Sequence, residues 1–84
     1  MNTKAIKVNR VLSSKHIAEL TEIARNYESE ITLESKHYKI DVKSILGLLA
    51  LHLDKGSEVT INTKGNDGEE ALAAITEYLQ GDAE

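Results

Sequence analysis

Two hydrophobic rhythms alternate along the chain, and the switches between them mark its elements. Ile6 and Val8 flank Lys7 and are followed by Asn9, a period of two that predicts a half-buried strand over residues 3–9. Ser13 and Ser14 then precede Ile17, Leu20, Ile23, Ala24 and Tyr27, spaced by three and four along one face of a helix. A serine just ahead of such a face is a normal N-cap, because its hydroxyl can satisfy an amide left open at the helix start. The helix is predicted to end near Asn26 and Tyr27.

Period two returns at Ile31 and Leu33, and again at Tyr38, Ile40 and Val42, with Ser35-Lys36 between the runs. A β-hairpin follows. The turn lacks an Asn-Gly pair, which leaves its type open. Ser44 precedes Ile45-Leu46-Gly47-Leu48-Leu49-Ala50-Leu51, a run too continuous to alternate and rich in helix formers. A short helix capped by Ser44 is favoured over a buried strand. Lys55-Gly56 makes a turn, and Val59 and Ile61 alternate with Glu58, Thr60 and Asn62 in a fourth strand. After the loop Gly65-Asn66-Asp67-Gly68, Asn66 and Glu69 read as a capping pair, and Leu72, Ile75 and Leu79 form the stripe of a last helix ending near Gln80-Gly81.

The predicted order is β-α-β-β-α-β-α. Strands that alternate imply a sheet with one buried face, since parallel strands covered on both sides would be apolar throughout. The expected fold is a two-layer α+β open-faced sandwich, a four-stranded antiparallel sheet covered on one face by three helices, as a single domain over residues 1–84. Such an architecture does not name a function.

Composition narrows the choice. A chain of 84 residues buries about 60–65% of its unfolded surface, which leaves little room for a deep cavity and directs attention to the surface. The absence of cysteine excludes a disulfide framework, a thiolate metal site and a cysteine nucleophile, and fits a reducing compartment. The first seven residues hold no apolar signal region, and the run Ile45–Leu51 is far short of a membrane span; a cytoplasmic protein with no membrane insertion is expected. Net charge is −4, with eight Lys and Arg against six Asp and Glu in residues 1–43 and two against eight in residues 44–84. That balance, without a basic run, argues against nucleic-acid binding and offers a mildly basic face to an acidic protein. His16, His37 and His52 fall on different elements without ligand spacing, so no metal is expected. Asp67, Glu69 and Glu70 read as charges at a helix start rather than as paired catalytic carboxylates, so no enzyme activity and no cofactor are expected.

At Val42-Lys43-Ser44-Ile45-Leu46-Gly47-Leu48-Leu49 the chain resembles HPr, the histidine-containing carrier of the bacterial sugar phosphotransferase system. Tyr27 closing the first helix, Leu33-Glu34, Lys55-Gly56-Ser57-Glu58-Val59-Thr60-Ile61 and Gly68-Glu69-Glu70-Ala71-Leu72 agree with it, so the resemblance covers essentially the whole chain. It implies that Ser44, at the start of the second helix, is a regulatory phosphorylation site. It further implies that Lys43, Ile45, Leu46, Leu49 and Ala50 lie on the face that docks partners. The carrier motif Gly-Ile/Leu-His-Ala-Arg-Pro is broken: with the helix register set by Leu20 and Tyr27, Ser13 falls where the histidine belongs, Lys15 where the arginine does and His16 at the proline. A serine hydroxyl needs a base to become nucleophilic, and lysine keeps a charge but loses the bidentate fork of arginine.

Three functions are compatible with these residues. In the first, the chain is a regulatory paralogue of the Crh type, phosphorylated on Ser44 by HPr kinase and then bound by a transcription regulator or enzyme. In the second, it is a phosphocarrier that uses His16 between Enzyme I and a sugar permease. In the third, it is an interaction module that is not phosphorylated. The first ranks highest because the Ser44 segment is intact and the carrier motif is not.

Overall fold

The computed structural model describes residues 1–81. Its elements are β1 (Asn2–Lys7), α1 (Ser14–Arg25), β2 (Glu30–Ser35), β3 (Tyr38–Asp41), α2 (Ile45–Leu51), β4 (Glu58–Lys64) and α3 (Gly68–Gln80), in the expected order. The strands form one antiparallel sheet, β1-β4-β2-β3. Alternation does what the sequence requires. Ile6, Ile31, Leu33, Val59 and Ile61 point to one face and are buried, while the opposite face carries Thr3, Thr32 and Asn62. On that open face Thr3 Oγ1 donates to Asn62 Oδ1 at 2.8 Å, a cross-strand bond between paired residues.

The helices close the inner face unequally. Ile17, Leu20 and Ala24 of α1 and Ala71, Ile75 and Leu79 of α3 are buried in one core with the sheet residues, whereas α2 buries Leu48 alone and packs a partly buried Leu51 against it. Thr21 Oγ1 donates to the Val42 carbonyl at 3.2 Å, which fastens α1 to the segment leading into α2.

Three local expectations change. β1 ends at Lys7, two residues early, because beyond it the chain turns to other partners: Val8 N donates to Ser57 O and Asn9 N to Leu79 O, each at 2.8 Å. Ser35 pairs with Tyr38, so the hairpin turn is Lys36-His37, and Lys36 takes φ 56° without being glycine. The cap of α3 is Asp67, not Asn66 with Glu69.

Asp67 does not use its carboxylate on its own helix. Oδ2 accepts from Glu28 N and Oδ1 from Ser29 N, both at 2.9 Å, and Oδ1 also accepts from Ser29 Oγ. The carboxylate thereby fixes the α1–β2 connection to the start of α3. These donors, the Ser29 hydroxyl first, hold its pKa below the ordinary aspartate value. A depressed folded-state pKa adds stability that is complete above the unfolded value and is lost as pH falls through the folded one. Denaturant titrations of the native chain and Asp67→Asn should therefore differ at neutral pH and converge as pH drops below about 4. A gap that persists unchanged in acid would show that the charge contributes nothing.

Candidate functional site

Surface chemistry gathers at the starts of α1 and α2. Ser13 caps α1 in extended backbone, φ −79° and ψ 175°, and Ile17 N donates to the Ser13 carbonyl at 3.0 Å to begin the helix. His16 is the third helical residue, half-buried, and its ring folds back onto the cap. Ser13 N donates to His16 Nδ1 at 3.3 Å, and Ser13 Oγ lies 2.9 Å from the same nitrogen. This is the reciprocal half of a capping box, with imidazole in the place usually held by Glu or Gln.

That geometry assigns the tautomer. A backbone N–H can only donate, so Nδ1 carries a lone pair and the ring proton of neutral His16 sits on Nε2. The Ser13 hydroxyl, close to that lone pair, is then the donor of the 2.9 Å contact. Neither ring nitrogen has a free lone pair facing solvent in this arrangement.

Lys15 is exposed on the first turn. A guanidinium whose charge acts on the same Glu19 as Lys15 comes from a residue that sequence spacing did not single out. Arg10, in the β1–α1 loop, stacks 4.3 Å from the centre of the Tyr78 ring, and Tyr78 Oη donates its one proton to Glu19 Oε1 at 2.6 Å, with the His16 carbonyl 3.3 Å away. Burial and the facing Glu19 carboxylate push the Tyr78 phenol up to about 12, and the Tyr78 hydroxyl lowers the Glu19 pKa. Tyr78 therefore remains a donor that ties α3 to the first turns of α1. The nearby loop also closes the end of α3, since Asn9 Nδ2 donates to Gln80 O at 3.3 Å.

Ser44 caps α2 as expected, with Oγ accepting from Gly47 N at 3.1 Å. Gly47 has a reason to be glycine: a Cβ there would stand 2.8 Å from Ile40 Cγ2 and 3.3 Å from Ser44 Oγ. Lys43 is bonded to its own fold. Its Nζ donates to the Tyr27 carbonyl at 2.8 Å and its backbone N–H to Asp41 Oδ1 at 2.8 Å, so it shapes the approach to Ser44. Ile45, Leu46, Leu49 and Ala50 all face outward, and Leu46 retains 81% of its surface against 2% for Leu48. A helix of seven residues thus leaves three large apolar side chains exposed to solvent. Among the described residues no group of three or more His, Cys, Asp or Glu is placed to hold a metal, and no helix is long and apolar enough to cross a membrane.

Comparison with known proteins agrees with this arrangement. The family model for the PTS HPr component phosphorylation site matches residues 2–81. The HPr-like protein Crh of Halalkalibacterium halodurans is 33% identical over 75 residues, 89% of each chain. Among solved structures, the phosphocarrier protein HPr of Bacillus anthracis superposes with a TM-score of 0.90 at 32% identity, covering 94% of this chain and 96% of that one. Crh of Bacillus subtilis gives 0.80 at 32% identity, covering 94% and 88%. The chain belongs to the HPr family of the phosphotransferase system.

Proposed function

We propose that this HPr-family chain is a regulator of the Crh type, switched by phosphorylation of Ser44 and read by a protein partner on α2, and not a carrier working through His16. The observation that carries the reading is the contrast between two helix starts. At α2, Ser44 stands beside outward-facing Ile45, Leu46 and Leu49. At α1, the residue in the carrier position is Ser13, and the nearby imidazole spends its Nδ1 lone pair on the Ser13 amide. A phosphoryl acceptor needs that lone pair. Phosphate on a capping serine adds charge and strong acceptor oxygens next to an apolar patch, and a partner with arginine beside a hydrophobic groove can read both together. Curated relatives carrying the name Crh support the same reading.

Incubation with HPr kinase and ATP should give an acid-stable adduct that is lost in Ser44→Ala. Incubation with Enzyme I and phosphoenolpyruvate should give no acid-labile phosphohistidine. An acid-labile adduct that disappears in His16→Ala would establish the carrier instead, and no phosphate on Ser44 would leave only the interaction module.

A further inference from the structure

We infer that the free edge of β1 docks an extended acidic segment of a partner protein, which joins the sheet as a further antiparallel strand. β1 and β3 are the two borders of the sheet, and α2 packs beside β3. The site therefore lies at the opposite border from Ser44 and is independent of its role.

The bonding pattern leaves one row of backbone groups open. Along an antiparallel strand, successive residues turn their N–H and C=O alternately toward the paired strand and away from it. Val8 N donates to Ser57 O, in step with the pairs Ile6–Val59, Lys4–Ile61 and Asn2–Thr63, so these residues of β1 face β4. Thr3, Ala5 and Lys7 therefore direct their backbone groups outward. Asn9, next in that row, shows what such a group takes, since its N–H donates to the Leu79 carbonyl at 2.8 Å. Among the described residues no strand or loop backbone meets the other three. Nor is the edge covered. Open hollows of about 490, 390 and 340 Å³ lie beside Lys4, Ile6 and Val8 in turn, and Gln80 lines all three, so they form one groove between β1 and the end of α3.

The charge of the edge selects its occupant. β1 carries Lys4 and Lys7, both exposed, and no carboxylate. Lysine on an edge strand guards against pairing with a second copy, because two such strands gather like charges. The same charges favour an acidic strand. Lys7 stands on the open face, Lys4 on the side of α3 beside Ala73 and Thr76, and Lys55 lines the groove together with Lys7. Two carboxylates are close by. Glu58 belongs to β4, which places it about 10 Å from an added strand, against about 5 Å for Lys7 opposite the newcomer. Glu77 shares the hollow of Lys4, so on that side a single acid opposite Lys4 is favoured and further ones are not. The fitting segment thus has one acid opposite Lys7, one opposite Lys4, and apolar residues opposite Ala5 and Ile6. Open amides on the edge give the affinity, and the spacing of the acids gives the specificity.

The test titrates the full, isotope-labelled chain with the peptide acetyl-Asp-Glu-Val-Val-Glu-Thr-Val-amide at low salt, followed by backbone amide NMR. Laid antiparallel, its two glutamates fall opposite Lys7 and Lys4. The amides of Thr3, Ala5 and Lys7 should shift together and saturably, while those of Leu46 and Leu49 stay in place. A peptide N-methylated at the residues opposite those three keeps its charge but loses its backbone donors, and should bind at least about tenfold more weakly. The unmodified peptide should lose about as much on Lys4→Gln/Lys7→Gln. Glutamine is the informative replacement, because a carboxylate at position 7 would stand opposite Glu58 and disturb the strand itself. Shifts confined to α2, equal binding of the N-methylated peptide, unchanged binding by the double variant, or no binding would each overturn the inference. The same three shifts on concentrating the chain alone would assign the edge to a second copy and overturn it too. Ser44→Ala should bind the peptide like the native chain, so this result and the kinase experiment are separable.

Discussion

Gly65→Ala is expected to cost about 3–5 kcal/mol of folding free energy, the sum of backbone strain and steric overlap at one point. Gly65 has φ 150°, a conformation that side-chain-bearing residues rarely adopt. A Cβ there would stand 2.5 Å from Ser29 Oγ and 2.8 Å from Ser29 Cα. The hydroxyl can rotate away, but the α-carbon is backbone and cannot. Moving it would pull Ser29 N and Glu28 N off the Asp67 carboxylate, so the clash reaches the bonds that join the α1–β2 connection to α3. For a domain of this size the loss is a large part of the total stability of about 4–13 kcal/mol, and the melting temperature should fall by more than 10 °C. Gly56→Ala separates the two causes: φ there is 97°, yet nothing lies within 4 Å of the added carbon, so only the conformational cost applies, about 1 kcal/mol. Removing the Ser29 hydroxyl in the Gly65→Ala background should recover a minor part of the loss. Equal melting temperatures for the two alanine variants would refute the steric argument.

The contrast between these two glycines shows which features local pattern can carry. The alternation of Val59 and Ile61, the three-and-four spacing of Ile17, Leu20 and Ala24, and the serine ahead of Ile45 each depend on residues adjacent in sequence, and each was legible. The cap of α3 was not. Asn66 and Asp67 are equivalent by propensity, and what selects Asp67 is a pair of amides nearly forty residues away. Lys43 reads as a free charge until the carbonyl that ends α1 is placed beside it. Arg10 and Tyr78 were invisible for the same reason, since they meet only when the end of α3 reaches the β1–α1 loop. His16 is the intermediate case. Ser13 and a residue three positions on form a recognised capping spacing, so the pair had a local signal, but one usually carried by Glu or Gln and masked here by the core stripe that His16 adjoins.

The α2 face offers the sharpest test of how the chain is read by its partners. Leu46→Asp should leave folding within about 0.5 kcal/mol of the native chain, because the side chain is 81% exposed and contributes almost nothing to the core. Phosphorylation of Ser44 by HPr kinase, followed as initial rate at low protein concentration, should nevertheless fall roughly 30-fold, the equivalent of about 2 kcal/mol for a central apolar anchor replaced by a charge. Leu48→Ala makes the opposite prediction two residues along the same helix. Leu48 is 2% exposed, so its truncation should cost about 2–5 kcal/mol of stability, while the folded fraction is phosphorylated at close to the native rate. A helix that existed only to close the core would show both losses at Leu48 and neither at Leu46. Native phosphorylation of Leu46→Asp would therefore remove α2 as the docking surface, because no feature of its packing gives Leu46 another task.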